Sequence, residues 1–266
     1  MLNMVVGIKW VPNTTSVNID PRTGTLIREG IPSVVNPHDL EAVEMALQLK
    51  DTYGGTVTVI TMSPPSAMAG LEHVVGMGVD RAILVSDRVF AGADTLATSY
   101  VLAKTIERLD YDLVIFGQET IDSSTAHIGA QVASWLNIPY IYYVIRAELE
   151  GRKLRVKRVL EDAYETYELD LPALISVAMH TLHPRRVKVS NKLKVKLENP
   201  IEVWSNEVLG LDEECIGLKG SPTALSKIEV VPKVPRRNEV FKGRDAREAA
   251  KWIVDRLMEE GLIRLG

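Results

Sequence analysis

The chain has 266 residues, 46% hydrophobic and 25% charged, with a formal net charge of -4 at pH 7. That length buries one sizeable core with material left for an arm or a small lobe, and the slight acidity excludes a protein that tracks a phosphate backbone, so no nucleic acid partner is expected. With one cysteine, Cys215, a disulfide framework and a cysteine-ligated metal site are excluded within the chain.

Met1 to Val11 is expected to form a short apolar strand, Val5-Val6-Gly7-Ile8 at its centre, far below membrane-span length and without a signal-peptide cleavage pattern. No other stretch approaches membrane length, so a cytoplasmic protein without direct membrane insertion is expected. Ser16 to Glu29 follows as a hairpin turning at Asp20-Pro21-Arg22-Thr23-Gly24. Further strands are predicted at Val57-Thr58-Val59-Ile60, Ala82-Ile83-Leu84-Val85 and Leu113-Val114-Ile115-Phe116. Between them the period is helical: Leu40, Val43 and Leu47 share a face after Asn36, and Leu102, Ile106 and Leu109 share one after Asp94. Strands apolar on both faces and separated by helices predict an α/β fold with a doubly wound, mostly parallel sheet.

After Tyr143 the character changes. Residues 144–169 alternate apolar with charged, as in Leu154-Arg155-Val156-Lys157-Arg158-Val159, which predicts antiparallel strands with one solvated face. The buried run Ala173-Leu174-Ile175-Ser176-Val177 follows Pro172, and Arg185 to Lys196 is strongly basic, without a clear period, and is predicted as a loop. Ser221 to Lys242 holds Pro222, Pro232, Pro235 and an Arg236-Arg237 pair and is expected to be an extended arm. A final amphipathic helix places Ala246, Ala250, Ile253 and Leu257 on one face. The expected organisation is a domain over 1–196, with an antiparallel extension at 144–178 and a basic loop at 179–196, then an arm and helix over 197–266. The stripe of that helix needs cover, from its own domain or from another subunit.

The chemistry-bearing motifs of many enzymes are missing. There is no Walker-type loop and no Gly-x-Gly-x-x-Gly after the first strand, and Gly76-Met77-Gly78 suits a helix C-cap. Neither Gly-x-Ser-x-Gly nor His-Glu-x-x-His occurs, and His180 and His183, without cysteine or carboxylate nearby, are not expected to bind metal. What remains lies at the strand ends, where open parallel sheets bind ligands. Asn36-Pro37-His38-Asp39 suits a helix start, with Asn36 as N-cap and Asp39 completing a capping-box-like pair. Gly117-Gln118-Glu119-Thr120-Ile121-Asp122-Ser123-Ser124-Thr125 is predicted to open a helix, with Asp122 as its cap and its hydroxyls, free N–H groups and dipole offered to a phosphate. Gly7, Lys9 and Ser63 complete the rim of an adenine-nucleotide site. A helix start with no ligand accounts equally for the same residue types, and no side chain stands out as a general acid or base.

Several of these residues are shared with a known family. Lys9, Asn36-Pro37 followed by Glu41-Ala42-Val43-Glu44, Gly78-Val79-Asp80-Arg81, Gly117-Gln118-x-x-Ile121-Asp122 and Gly129 resemble the electron-transfer flavoprotein β subunit. So does Val156-x-Arg158-x-x-Glu161-Asp162, then Glu165 and Pro172-Ala173-Leu174-Ile175, with departures at Ala163 and Tyr167. The resemblance runs from the first strand to about Lys196 and more loosely onward. It implies a heterodimer with an α subunit that holds FAD and is contacted by the arm and helix over 197–266, and a nucleotide in this chain: AMP in the ordinary branch, or a second FAD that accepts hydride from NADH in the electron-bifurcating branch. The implied cofactor contacts are Gly7, Asn36, Asp39, Ser63, Gly117, Thr120, Asp122, Ser123, Ser124, Thr125 and Ile128, beside Lys9 and Gln118. His38-Asp39, where ordinary members carry Phe-Cys, and Ser124-Thr125-Ala126-His127-Ile128-Gly129 look more like the bifurcating version. The resemblance also aligns Met179 to Lys196 with a segment that docks a partner dehydrogenase or a quinone- or ferredoxin-linked acceptor, with Val189 as apolar anchor beside Arg185 and Arg186. The alternative of another class is a non-redox adenine-nucleotide sensor of the stress-protein type, expected to homodimerise and to need no arm after Ser221.

Overall fold

The computed structural model describes residues 1–13, 18–19, 26–27, 32–223 and 238–264. The chain divides into two compact units, Met1–Lys227 and Ile228–Gly266. The first opens with β1 (Leu2–Gly7) and a short β2 (Trp10–Pro12). β3 (Asn18–Ile19) and β4 (Leu26–Ile27) pair antiparallel as the sides of the expected hairpin, whose turn at 20–24 lies outside the described residues. β5 (Ser33–Val35) pairs with β2 and leads into α1 (Pro37–Tyr53). Next come β6 (Gly55–Met62), α2 (Met68–Met77), β7 (Arg81–Val85), α3 (Thr95–Ile106), β8 (Leu113–Gly117) and α4 (Ile128–Leu136). β9 (Tyr140–Glu150), β10 (Lys153–Val159), β11 (Tyr164–Asp170) and β12 (Ala173–Val177) follow, then α5 (Val189–Glu198), β13 (Ile201–Trp204) and α6 (Asn206–Leu209).

One nine-stranded sheet runs β11-β10-β9-β12-β8-β1-β6-β7-β13. From β9 to β13 every neighbouring pair is parallel, and β10 and β11 add antiparallel strands at one edge. This is the expected α/β class, and its strands show why the runs are apolar throughout. Met4 and Val6 pack with α1 and α2, while Val5 between them packs with α3 and α4. Leu113 and Ile115 repeat the first choice, Val114 and Phe116 the second. A strand covered on both faces has no polar side. In the extension, by contrast, Leu154 and Val156 of β10 are buried and their neighbours Lys153, Arg155 and Lys157 are exposed, the alternation of a sheet wet on one face.

Two elements depart from the sequence expectations. Residues 189–198 form a helix where a loop was predicted. Its placement is tertiary: the Lys188 N–H and Asn191 Nδ2 donate to the Gly76 carbonyl, and Val187 lies where a side chain on Gly76 would stand. Its apolar residues do not show an inward period because Val189, Leu193 and Leu197, one turn apart, face solvent. The second departure is β13, which pairs with β7 and so carries the first unit past residue 196 to Lys227.

In the second unit α7 (Ala246–Glu259) is capped by Asp245, which accepts from the Arg247 and Glu248 N–H groups. Arg256 bridges Glu239 and Glu259, the Phe241 and Trp252 rings lie 6.0 Å apart, and Ile253, Met258 and Leu262 are exposed. The prolines Pro232 and Pro235 and the Arg236-Arg237 pair lie outside the described residues. Among the described residues no helix is long and apolar enough to cross a membrane.

Candidate functional site

Chain order places the site. From β1 the sheet grows one way through β6 and β7, then the chain returns to lay β8 on the other side of β1. A crevice opens at such a switch point, beyond the carboxyl ends of the strands. Here it is a cleft of about 410 Å³ between the loop after β7 (Phe90 to Thr95) and the loop after β8 (Gly117 to Ile128).

Its floor depends on two glycines. A side chain on Gly7 would collide with the Phe116 ring, and one on Gly117 would collide with the Asp39 carboxylate and the His38 carbonyl. Asp39 is 5% exposed, and its Oδ2 accepts the Lys9 N–H at 2.8 Å. Burial pushes the Asp39 carboxyl up to about 7, against the opposing pull of the Lys9 N–H, the Asn36 side chain, the Lys9 charge and the Gly117 N–H. Asp39 thus braces the ends of β1 and β8 instead of completing a capping box. Asn36 stands at the N-cap position of α1 but makes no side-chain cap bond. Fully buried, it reaches across to the loop after β8, donating from Nδ2 to the Glu119 carbonyl at 2.8 Å and accepting the Ile121 N–H at 3.2 Å.

The loop itself is folded by its own polar residues. Asp122 pairs with Lys9 at 2.7 Å and accepts the Thr120 hydroxyl at 2.6 Å. Burial pushes its carboxyl up, but the Lys9 and Thr120 bonds, the Lys9 charge and the Ser123 hydroxyl outweigh this and hold it below the usual carboxylate range. Ser124 turns back to the Thr120 carbonyl with both its N–H and its hydroxyl, and Ser124 and Ala126 take positive φ of 47° and 55°. These turns delay the helix. The expectation that Asp122 caps it is therefore corrected: α4 starts at Ile128, after His127, whose side chain makes no cap bond. The first-turn N–H groups of α4 are left for a ligand at the cleft's edge.

Of the predicted residues, Gly7, Lys9, Asp39, Gly117, Gln118, Thr120, Ser123, Thr125 and Ile128 line the cleft. Asn36, Asp122 and Ser124 support it from behind through the bonds just described. Ser63 does not line it; its hydroxyl pairs with that of Thr61 at 2.9 Å, and its neighbour Met62 faces the cleft. Sequence reasoning missed the opposite wall: Phe90, Gly92, Ala93, Asp94, Thr95, Thr98 and Leu102. The signal was present, since Gly92 and the Asp94-Thr95 helix start follow a strand just as Gly117 and its hydroxyls do. Asp94 caps α3 through the Leu96 and Ala97 N–H groups, and its second oxygen accepts the Thr223 N–H and hydroxyl. An apolar wall of Met62, Phe90, Leu102 and Phe116 facing hydroxyls, one ammonium and open helix N–H groups fits a flat heteroaromatic ring joined to phosphate.

The basic segment is a separate surface. Val189 is 85% exposed at the start of α5, with Arg186 exposed nearby. Arg185 is engaged inward, with Nε 2.9 Å from Glu44 and Nη1 2.8 Å from Asp51. The hairpin signature also has a geometry: Arg158 on β10 lies opposite Glu165 on β11 and bonds it at 2.6 Å.

Comparison with known proteins agrees with these features. Residues 23–203 match the electron transfer flavoprotein domain. The electron transfer flavoprotein subunit beta of Clostridium acetobutylicum is 42% identical over 262 residues, covering 98% of this chain and all of that protein. The caffeyl-CoA reductase-Etf complex subunit CarD of Acetobacterium woodii is 41% identical over 264 residues, again 98% of this chain and all of the relative. Protein FixA of Azotobacter vinelandii is 39% identical over 253 residues, 92% of this chain and 90% of its own. With its glycine-floored cleft at the sheet's switch point and this likeness along its whole length, the chain belongs to the electron transfer flavoprotein family as a β subunit, and its work is electron transfer.

Proposed function

We propose that the cleft holds FAD, with AMP as the alternative occupant of the same site, and that the chain passes electrons in a cytoplasmic heterodimer with an α subunit that carries its own FAD. The observation that carries this reading is the cleft: an apolar wall on one side, and on the other a loop bent so that Lys9 and the start of α4 meet one space. Phosphates fit beside the α4 N–H groups and the Lys9 ammonium, and an adenine fits against the apolar wall. Asp39, set by the resemblance against a cysteine in ordinary members, supports FAD and the electron-bifurcating branch, with NADH as hydride donor. When bound, the flavin supplies the redox chemistry. The residues of this chain bind it, orient it and set its electrostatic surroundings, and none is assigned as general acid or base.

The segment 179–196 is proposed to dock a partner dehydrogenase, with Val189 as the anchor. Support comes from the exposed row Val189, Leu193 and Leu197 beside Arg186, and from CarD, which is named for a complex with caffeyl-CoA reductase. Acid release of cofactors from the heterodimer, followed by chromatography, tests the first reading: two FAD per heterodimer are expected. One FAD with one AMP would place the chain in the ordinary branch. Thr125→Arg is expected to empty the cleft without unfolding the chain, read as lost nucleotide at an unchanged far-ultraviolet spectrum; full retention would remove the 117–128 loop from the site.

A further inference from the structure

We propose that Glu41 and Glu44 are positioning residues for the partner-docking segment, holding residues 180–185 in the shape from which α5 presents Val189. The proposal rests on the docking reading above. Both carboxylates lie on α1, yet neither lines the nucleotide cleft, and both are nearly buried, at 6% and 4% exposure. Around them α1 carries Ala42, Val43, Met45 and Ala46, all core residues. A charge buried on an apolar helix face needs compensation. Here it comes from the docking segment.

Glu41 accepts three consecutive backbone N–H groups: His180 at 2.9 Å, Thr181 at 2.8 Å and Leu182 at 2.9 Å. Successive amides converging on one anion form a backbone nest, and this one needs His180 at φ 61°, a left-handed conformation that side chains other than glycine rarely take. The turn is wrapped around the carboxylate. Glu44 takes the next hold, accepting Arg185 through its N–H at 3.0 Å, Nε at 2.9 Å and Nη2 at 3.1 Å. Burial pushes the Glu44 carboxyl up, and the Arg185 side chain and N–H outweigh it and hold the group below its ordinary value. Lys188 and Asn191 then fix the start of α5 on Gly76. Val189 therefore projects from a clamped turn. A preorganised surface loses less freedom on binding than a loose one, so loosening the clamp weakens the encounter with the partner and leaves the cofactor alone.

The test uses the full chain in its heterodimer, with a purified acyl-CoA dehydrogenase as the probe partner. Glu41→Gln keeps one accepting oxygen and replaces the other with an NH2 donor that faces at least one of the three N–H groups. Glu44→Gln weakens the second hold while Arg185 keeps its pair with Asp51, so no buried charge is left unpaired, and it decides the matter should Glu41→Gln fail to fold. Both are expected to speed deuterium exchange of the 180–185 amides by about tenfold. Apparent KM for the dehydrogenase should rise by about tenfold, with kcat at saturation and retained nucleotide unchanged. A structural defect spread through the protein would lower nucleotide content and kcat as well. Unchanged exchange, or faster exchange with an unchanged KM while Val189→Asp raises it, overturns the positioning role and leaves the docking surface standing. A Val189→Asp variant with wild-type KM removes the docking reading, and this proposal with it.

Discussion

Asp39 shows how one side chain ties the fold to the site. Its carboxylate joins the ends of two neighbouring strands, and burial places its pKa near 7 in the folded chain against an ordinary 3.8. Between those values the folded chain keeps a proton that the unfolded chain has released. Stability therefore falls as pH rises through this window and levels off above it, with about 1.4 kcal/mol at stake for each pH unit traversed. Asp39→Asn lacks this dependence. Urea unfolding of the two proteins at pH 5 and pH 8 is expected to show the variant gaining on the wild type at the higher pH; parallel curves would refute the perturbed carboxyl. The importance of Asn36 and Asp39 was legible in the sequence as a helix start, but their targets were not. Capping preferences describe the near end of a helix, and both side chains turn instead to partners far away in sequence: Asn36 to Glu119 in the loop after β8, Asp39 to Gly117 at the end of β8.

At the level of elements, the alternation of strands and helices was readable because each strand is apolar on both faces and each helix has one core-facing stripe. The opposite wall of the cleft and α5 were not. Asp94 was read only as the residue before a helical stripe, and its second role appears once Ser221 and Thr223 return to it: Ser221 Oγ accepts the Asp94 N–H at 2.8 Å, and Thr223 donates to the Asp94 carboxylate. Asp94→Ala removes a helix cap and this tether together. A loss of about 1–2 kcal/mol in urea unfolding is expected, with faster amide exchange at Thr223. A loss confined to the first turn of α3, with Thr223 still protected, would show that the tether is idle. For α5, the period was hidden because three of its four apolar residues, Val189, Leu193 and Leu197, face outward, which a search for inward stripes discards.

At the level of the whole molecule, the sheet, both cleft walls and the docking segment all lie within Met1–Lys227. A chain ending at Lys227 is therefore expected to keep its nucleotide while losing its α subunit, measured as cofactor content and as mass in light scattering. Loss of nucleotide from that shortened chain would mean that the second unit contributes to the site. The sheet order also constrains the segment proposed to meet the partner. It joins β12 to β13, which lie five places apart in the sheet, a lateral distance of about 24 Å at the usual strand spacing. The stretch from Ala178 to Pro200 is thus a girder of set length, fastened at both ends to the sheet. Its sequence is free to drift on the outward side, but deletions within it would shorten the span and pull β13 from its edge. Descendants of this chain are expected to change partners by substitution along the girder and to keep its number of residues.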